Sequence, residues 1–207
     1  MTGMARKESV MRITKATANL EAYTPGEQPK SKSVVKLNTN ENPYPPSPRC
    51  AKVLKCFDLD KLRRYPDPVF MALREAIATL NGTKVENVFV GNGSDEILTL
   101  AARAFVENSE IIASLDPSYS LYKTLAAIRD VKWVGSFADS AKIVIPDSAS
   151  LFLWTNPNAP TGGFASPQKI SSFARKFKGV VIVDEAYGAF FVPGFRLRRV
   201  PRTSCAQ

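Results

Sequence analysis

The run Val180-Val181-Ile182-Val183 constrains this chain more than any other four residues. All four are β-branched, which favours a strand, and no polar residue alternates with them to make a solvated face. A strand that is apolar on both faces needs cover on both, so it belongs to a parallel sheet between layers of helices. It then ends abruptly on Asp184, Glu185, Ala186 and Tyr187. A carboxylate at the mouth of a buried strand is costly unless something pairs with it. A divalent metal ion or a cationic ring nitrogen would each serve.

The rest of the chain alternates in the way such a sheet requires. Asp67-Pro68 opens a predicted helix in which Phe70, Leu73, Ile77 and Leu80 recur at helical spacing until Asn81-Gly82 stops it. Val88–Val90 is a short predicted strand, and Ser94–Phe105 a second helix with Ser94 and Asp95 at its positive end. Ile111–Leu115 is a strand and Ser118–Ile128 a helix; Val131–Val134 and Lys142–Ile145 are weaker strand candidates. Leu151–Trp154 is a strand, Ser166–Phe177 a helix with a capping Ser-Pro, and Val180–Val183 closes the series. The expected fold class is α/β, a mostly parallel sheet with helices on both faces. Residues 1–48 read as a turn-rich arm with one candidate strand at Val34–Leu37. Residues 49–195 read as the sheet domain, and residues 196–207 as a basic tail carrying Arg196 to Arg202.

Composition narrows the chemistry. With 207 residues, 44% of them apolar and 23% charged, the chain can bury a core. It contains no histidine, which removes Ser-His and Cys-His nucleophiles and the commonest zinc ligand. Cys50, Cys56 and Cys205 lack metal-site spacing. No apolar run approaches the roughly 20 residues that span a bilayer, and the basic start has no apolar core of a signal peptide. The expectation is a cytoplasmic protein without a membrane segment. The net charge of +9 is scattered rather than interleaved with aromatic residues, so a solvated basic surface is favoured over a nucleic-acid partner. Such a field also suits phosphorylated small ligands.

Parallel sheets bind ligands beyond the carboxyl ends of their strands, and four motifs sit there. Gly91-Asn92-Gly93-Ser94-Asp95-Glu96 allows close approach of a ligand to free helix amides, although it also reads as a plain capped turn. In Asp116–Tyr122, Tyr119 can lie on a flat ligand or simply pack its helix on the sheet. Thr155–Gly163, with two prolines and two glycines, is a rigid loop that holds side-chain amides in fixed positions. Asp184 can keep a pyridinium nitrogen protonated, so that the ring accepts electrons from a substrate carbanion. The metal reading of Asp184-Glu185 as part of an ATPase needs a GxxxxGK[ST] phosphate loop, which the chain lacks.

On these residues the chain resembles the fold-type-I pyridoxal-phosphate aminotransferases, most closely the histidinol-phosphate aminotransferase group. The matching segments are LNTNENPYPPSP, LRRYPDP, GNGSDEILTLAARAF, DPSYSLY, NPNAPTG and VVIVDEAYGAF, in the family's order, across roughly residues 17–191. The resemblance implies the three-layer large domain of that family, incomplete at its C-terminus, and pyridoxal 5'-phosphate as cofactor. It implies amino transfer between glutamate and a phosphorylated keto substrate. By the same resemblance, amides at Ser94 and Asp95 hold the cofactor phosphate. Tyr119 stacks on the ring, Asp184 pairs with its nitrogen and Tyr187 binds its phenolic oxygen. Tyr65 would reach the phosphate of a second subunit, implying a homodimer, and Tyr23 and Asn40 would approach the substrate.

Two departures stand out. Relatives carry asparagine directly before Pro-Thr-Gly, where this chain has Ala159, and Asn158 is the nearest substitute. The family's Schiff-base lysine follows the aspartate strand, whereas here the last lysine is Lys178. A truncated or frame-shifted product is the preferred reading, with no transaminase activity expected from these 207 residues. An aromatic aminotransferase or a phosphothreonine-type decarboxylase shares most of the motifs. A non-catalytic binding domain that keeps the crevice is the reading from a different class.

Overall fold

A computed structural model describes residues 13–20, 26–31, 33–138 and 142–191. In chain order its helices are α1 (Lys15–Ala18), α2 (Pro48–Lys55), α3 (Met71–Asn81), α4 (Gly93–Phe105), α5 (Leu121–Arg129), α6 (Pro167–Ala174) and α7 (Gly188–Phe191). Its strands are β1 (Ile111–Asp116), β2 (Lys132–Phe137), β3 (Ala149–Thr155) and β4 (Val180–Asp184). Two compact units result, residues 21–90 forming one, and residues 1–20 with 91–207 forming the other. In this division residues 49–90 group with residues 21–48.

In the sheet unit the four strands run parallel in the order β2-β1-β3-β4. The alternation of side chains explains why their sequences have no polar face. Ile112, Leu151 and Leu153 point into a cluster with Leu98, Ala102 and Val106 of the α4 segment and Tyr122, Leu125 and Ala126 of α5. Their neighbours Ile111, Ala113, Phe152 and Trp154 point the other way, against Ala165 and Ile170 of the α6 segment. On that face Phe152 lies 4.7 Å from Phe173 and 5.7 Å from Trp154, centroid to centroid. Each fully buried aliphatic or aromatic side chain contributes roughly 1.5–3 kcal/mol. Parallel strands with helices on both faces are the expected α/β arrangement.

β4 departs from expectation in one respect. It lies at the sheet edge and its five residues are only half-buried, because no strand pairs with its outer side among the described residues. Three short apolar runs expected as strands are not strands: Val34–Leu37, Val88–Val90 and Lys142–Ile145. A strand needs a ladder partner, and the carbonyl of Val88 is instead taken by the Arg74 guanidinium at 2.9 Å, with Val85 at 3.0 Å.

The other unit is organised locally. The stop at Asn81-Gly82 holds, with Gly82 left-handed at φ 59° closing α3. Asp67 caps α3 from further upstream than expected. Its carboxylate accepts from the amides of Val69 (3.0 Å) and Met71 (2.7 Å). Those two bonds hold the Asp67 carboxyl below the usual carboxylate range.

Candidate functional site

The carboxyl ends of β1, β3 and β4 open at one edge of the sheet, and the head of α4 joins them through a hydrogen bond. Register fixes the arrangement: Thr155 stands beside Asp184, and the amide of Asn156 continues the ladder to the Asp184 carbonyl at 2.9 Å. The Asp184 carboxylate is half-buried, and each oxygen accepts one internal bond. Oδ1 takes the amide of Ala186 at 3.1 Å and Oδ2 the Tyr122 hydroxyl at 3.1 Å. A carboxylate oxygen has two acceptor sites, so among the hydrogen bonds of the described residues each Asp184 oxygen uses one of its two.

Tyr119 sits at the turn into α5, partly exposed, with its hydroxyl on Asp95 Oδ1 at 3.1 Å and its ring edge-on to Tyr122 at 5.7 Å. Burial, then the Asp95 carboxylate, push its phenol up to about 12, with smaller contributions from Asp184 and Tyr187. It is therefore a neutral hydrogen-bond donor at any ordinary pH. Tyr122 is fully buried, and its phenol is raised as well, chiefly by burial.

The first turn of α4 carries two carboxylates of its own, Asp95 and Glu96. Asn92 makes no side-chain cap, its own amide donates to the Glu96 carboxylate, and Gly93 turns with φ 80°. The amides of Ser94 and Asp95 lie in the first helical turn, where they have no helical carbonyl to serve. The preceding segment is not a strand, however, so this motif sits before a helix and after an irregular stretch.

Asn158 is engaged by neighbours within the protein. It is buried, its amide donates to the Pro117 carbonyl and to Thr161 Oγ1, both at 2.9 Å, and its Oδ1 accepts from Ser118 at 2.7 Å. Its N–H hydrogens are taken within the protein, one by the turn after β1 and one inside its own loop. Asn156 is used the same way, exchanging hydrogen bonds with the backbone of Ala165 at 3.0 and 2.8 Å. The rigidity read from the prolines and glycines of this loop is thus enforced by its asparagines.

The structure brings Ser94, Asp95, Tyr119, Asp184 and Tyr187 together in one unit. Tyr65, fully exposed, and Asn40, left-handed at φ 52°, belong to the other unit, and Tyr23 lies outside the described residues. Sequence reading passed over Ser118, Tyr122 and Thr155. Tyr122 follows Tyr119 at the i, i+3 spacing that shares a helix face, and Thr155 is the first polar residue after the apolar run Leu151–Trp154, so both had a signal. Among the described residues no cluster of three acidic, histidine or cysteine side chains is set to hold a metal, and no helix is long and apolar enough to cross a membrane.

Comparison with known proteins points the same way. Residues 32–202 match the family described as aminotransferase class I and II. A histidinol-phosphate aminotransferase of Rippkaea orientalis is 39% identical over 183 residues, 86% of this chain and 52% of that protein. One from Clostridium botulinum is 43% identical over 176 residues, 83% of this chain and 50% of that protein. The chain thus spans about half the length of the curated relatives it matches. In fold, it resembles the crystal structure of histidinol-phosphate aminotransferase from Sinorhizobium meliloti in complex with pyridoxal-5'-phosphate. That match has a TM-score of 0.65 and 22% identity, covering 72% of this chain and 43% of the other.

Proposed function

Because the chain belongs to the class I and II aminotransferases, we propose that its crevice is the larger part of a pyridoxal-phosphate site serving amino transfer to and from a phosphorylated amino-acid substrate. The single observation that carries this is Asp184, a half-buried carboxylate at a strand mouth, held by Tyr122 and Ala186 through one acceptor site on each oxygen. The donor set fits the group: an acceptor for a ring nitrogen, a partly exposed aromatic ring, and first-turn helix amides for a phosphate. When bound, pyridoxal phosphate supplies an electron sink for a carbanion at the substrate's α-carbon.

The chain's own residues then have separable tasks. Asp184 holds the proton on the ring nitrogen by charge. Tyr119 covers one ring face, its hydroxyl pinned to Asp95. The amides of Ser94 and Asp95 receive the phosphate. Tyr187 donates to the ring oxygen, alone, because Ala159 offers no donor and Asn158 is committed elsewhere. Tyr65 and Asn40 serve a homodimer in which the partner completes the phosphate and substrate contacts. A histidinol-phosphate-like substrate is favoured by the names of the relatives, and the net charge of +9 suits an anionic one.

The sequence has no lysine after Lys178, so a polypeptide of these 207 residues holds the cofactor reversibly. Absorbance titration with pyridoxal phosphate, followed by borohydride reduction and peptide mapping, tests this. Saturable binding with no lysine adduct at the crevice, and no amino transfer from glutamate, is the expected result. Binding that is unaffected by Asp184→Ala contradicts it.

A further inference from the structure

Hydroxyl protons around Asp184 can be assigned by elimination. Tyr122 Oη lies 3.1 Å from Asp184 Oδ2 and 2.5 Å from Thr155 Oγ1. A carboxylate only accepts, so the one phenolic proton goes to Asp184. The phenol is raised by burial and remains a donor. The Thr155 hydroxyl, 2% exposed, must then donate to Tyr122. Its remaining neighbour is Ser118 Oγ at 3.1 Å, whose own proton is directed to Asn158 Oδ1 at 2.7 Å. Thr155 and Tyr122 thus donate in one direction, toward the carboxylate, while Ser118 donates away from it, to Asn158.

We propose that Thr155 and Tyr122 form a one-way hydroxyl chain that fixes the orientation of the Asp184 carboxylate, making both of them positioning residues for the ring-nitrogen contact. The inference rests on the cofactor reading above and deepens it. In a chain of aligned hydroxyls each bond polarises the next, and the last one is strengthened by its charged acceptor. The titratable groups around Asp184 are Tyr122 and Tyr119 from the α5 segment, Asp95 behind Tyr119 on α4, and Glu185 and Tyr187 in its own exit loop. Of these, Tyr122 donates a proton to the Asp184 side chain. The consequence is that affinity for a ligand with a basic ring nitrogen depends on Tyr122 and Thr155, while affinity for the same ligand without that nitrogen does not.

The test compares dissociation constants for pyridoxal phosphate and for 1-deazapyridoxal phosphate, in which a carbon replaces the ring nitrogen. The full 207-residue chain is used, with circular dichroism as the check on folding. The unsubstituted chain should prefer pyridoxal phosphate. Tyr122→Phe should reduce that preference about tenfold, Thr155→Val by about threefold, and Thr155→Ser should restore it. A loss of both ligands in equal proportion means that the two residues are merely structural and overturns the proposal. Should Tyr122→Phe fail to fold, the Thr155→Val and Thr155→Ser pair decides alone: an unchanged preference in both overturns it. Equal affinity of the unsubstituted chain for the two ligands overturns the cofactor reading itself, and this inference with it.

Discussion

The two units of this chain are built on different principles. The sheet unit buries its apolar residues: Ile112, Leu151, Phe152 and Leu153 are all fully enclosed. In the unit of residues 21–90, Ala78 is the only buried residue among those described, and Leu54, Leu59, Leu62 and Phe89 are largely exposed. That unit is held by short-range polar contacts: Asp67 on the first amides of α3, Arg74 on the carbonyls of Val85 and Val88, and Ser47 capping α2. Burial over long sequence separation gives cooperative stability, whereas local hydrogen bonds near water give little each. The crevice is assembled on the cooperative unit, which is where side chains can be held within fractions of an ångström.

Substitutions can break that contrast. Phe152→Ala removes a ring that packs on Trp154, Phe173 and Phe177, and it should cost about 3–5 kcal/mol in denaturant unfolding. Leu62→Ala removes a side chain that is 70% exposed, and it should change stability by no more than about 0.5 kcal/mol. Comparable costs for the two would show that residues 21–90 share the core of the sheet unit.

A smaller effect tests the electrostatics of the crevice. The Tyr119 phenol is raised from 10.0 to about 12 in the folded chain, so folding favours its neutral form. Its contribution is fully present below pH 10 and is lost as pH rises toward 12. Between those limits the unsubstituted chain should lose more stability than Tyr119→Phe, measured as the denaturant midpoint against pH. Parallel curves for the two proteins would mean that neither burial nor Asp95 raises the Tyr119 phenol on folding.

Much of the sheet unit was legible in the sequence because its signals are strong and local. The apolar runs at Ile111, Leu151 and Val180 became β1, β3 and β4, and Gly82 and Ser166 ended and began helices as their backbone chemistry requires. The misread segments share a cause. Val34–Leu37, Val88–Val90 and Lys142–Ile145 have strand composition, but pairing is a tertiary event, and composition cannot say whether a partner strand arrives. At Asn158 the side-chain type and place suit a ligand contact, but composition could not show that the Pro117 carbonyl and the Thr161 hydroxyl take its N–H hydrogens. Tyr122 and Thr155 were overlooked because a tyrosine facing the sheet and a threonine ending a strand read as packing, and only the register that sets Thr155 beside Asp184 shows their polar ends meeting.

The central claim is that the ligand site lies at the carboxyl edge of the sheet and is centred on Asp184. A nitrogen-15 amide correlation spectrum of the 207-residue chain, recorded during titration with pyridoxal phosphate, tests it directly. The account predicts saturable shifts at Ser94, Asp95, Tyr119, Ala186 and Tyr187, and their disappearance in Asp184→Ala. Shifts centred instead on the separate cavity that Lys169, Lys176 and Lys178 line beside Trp154 and Phe173, undiminished in that variant, would contradict it.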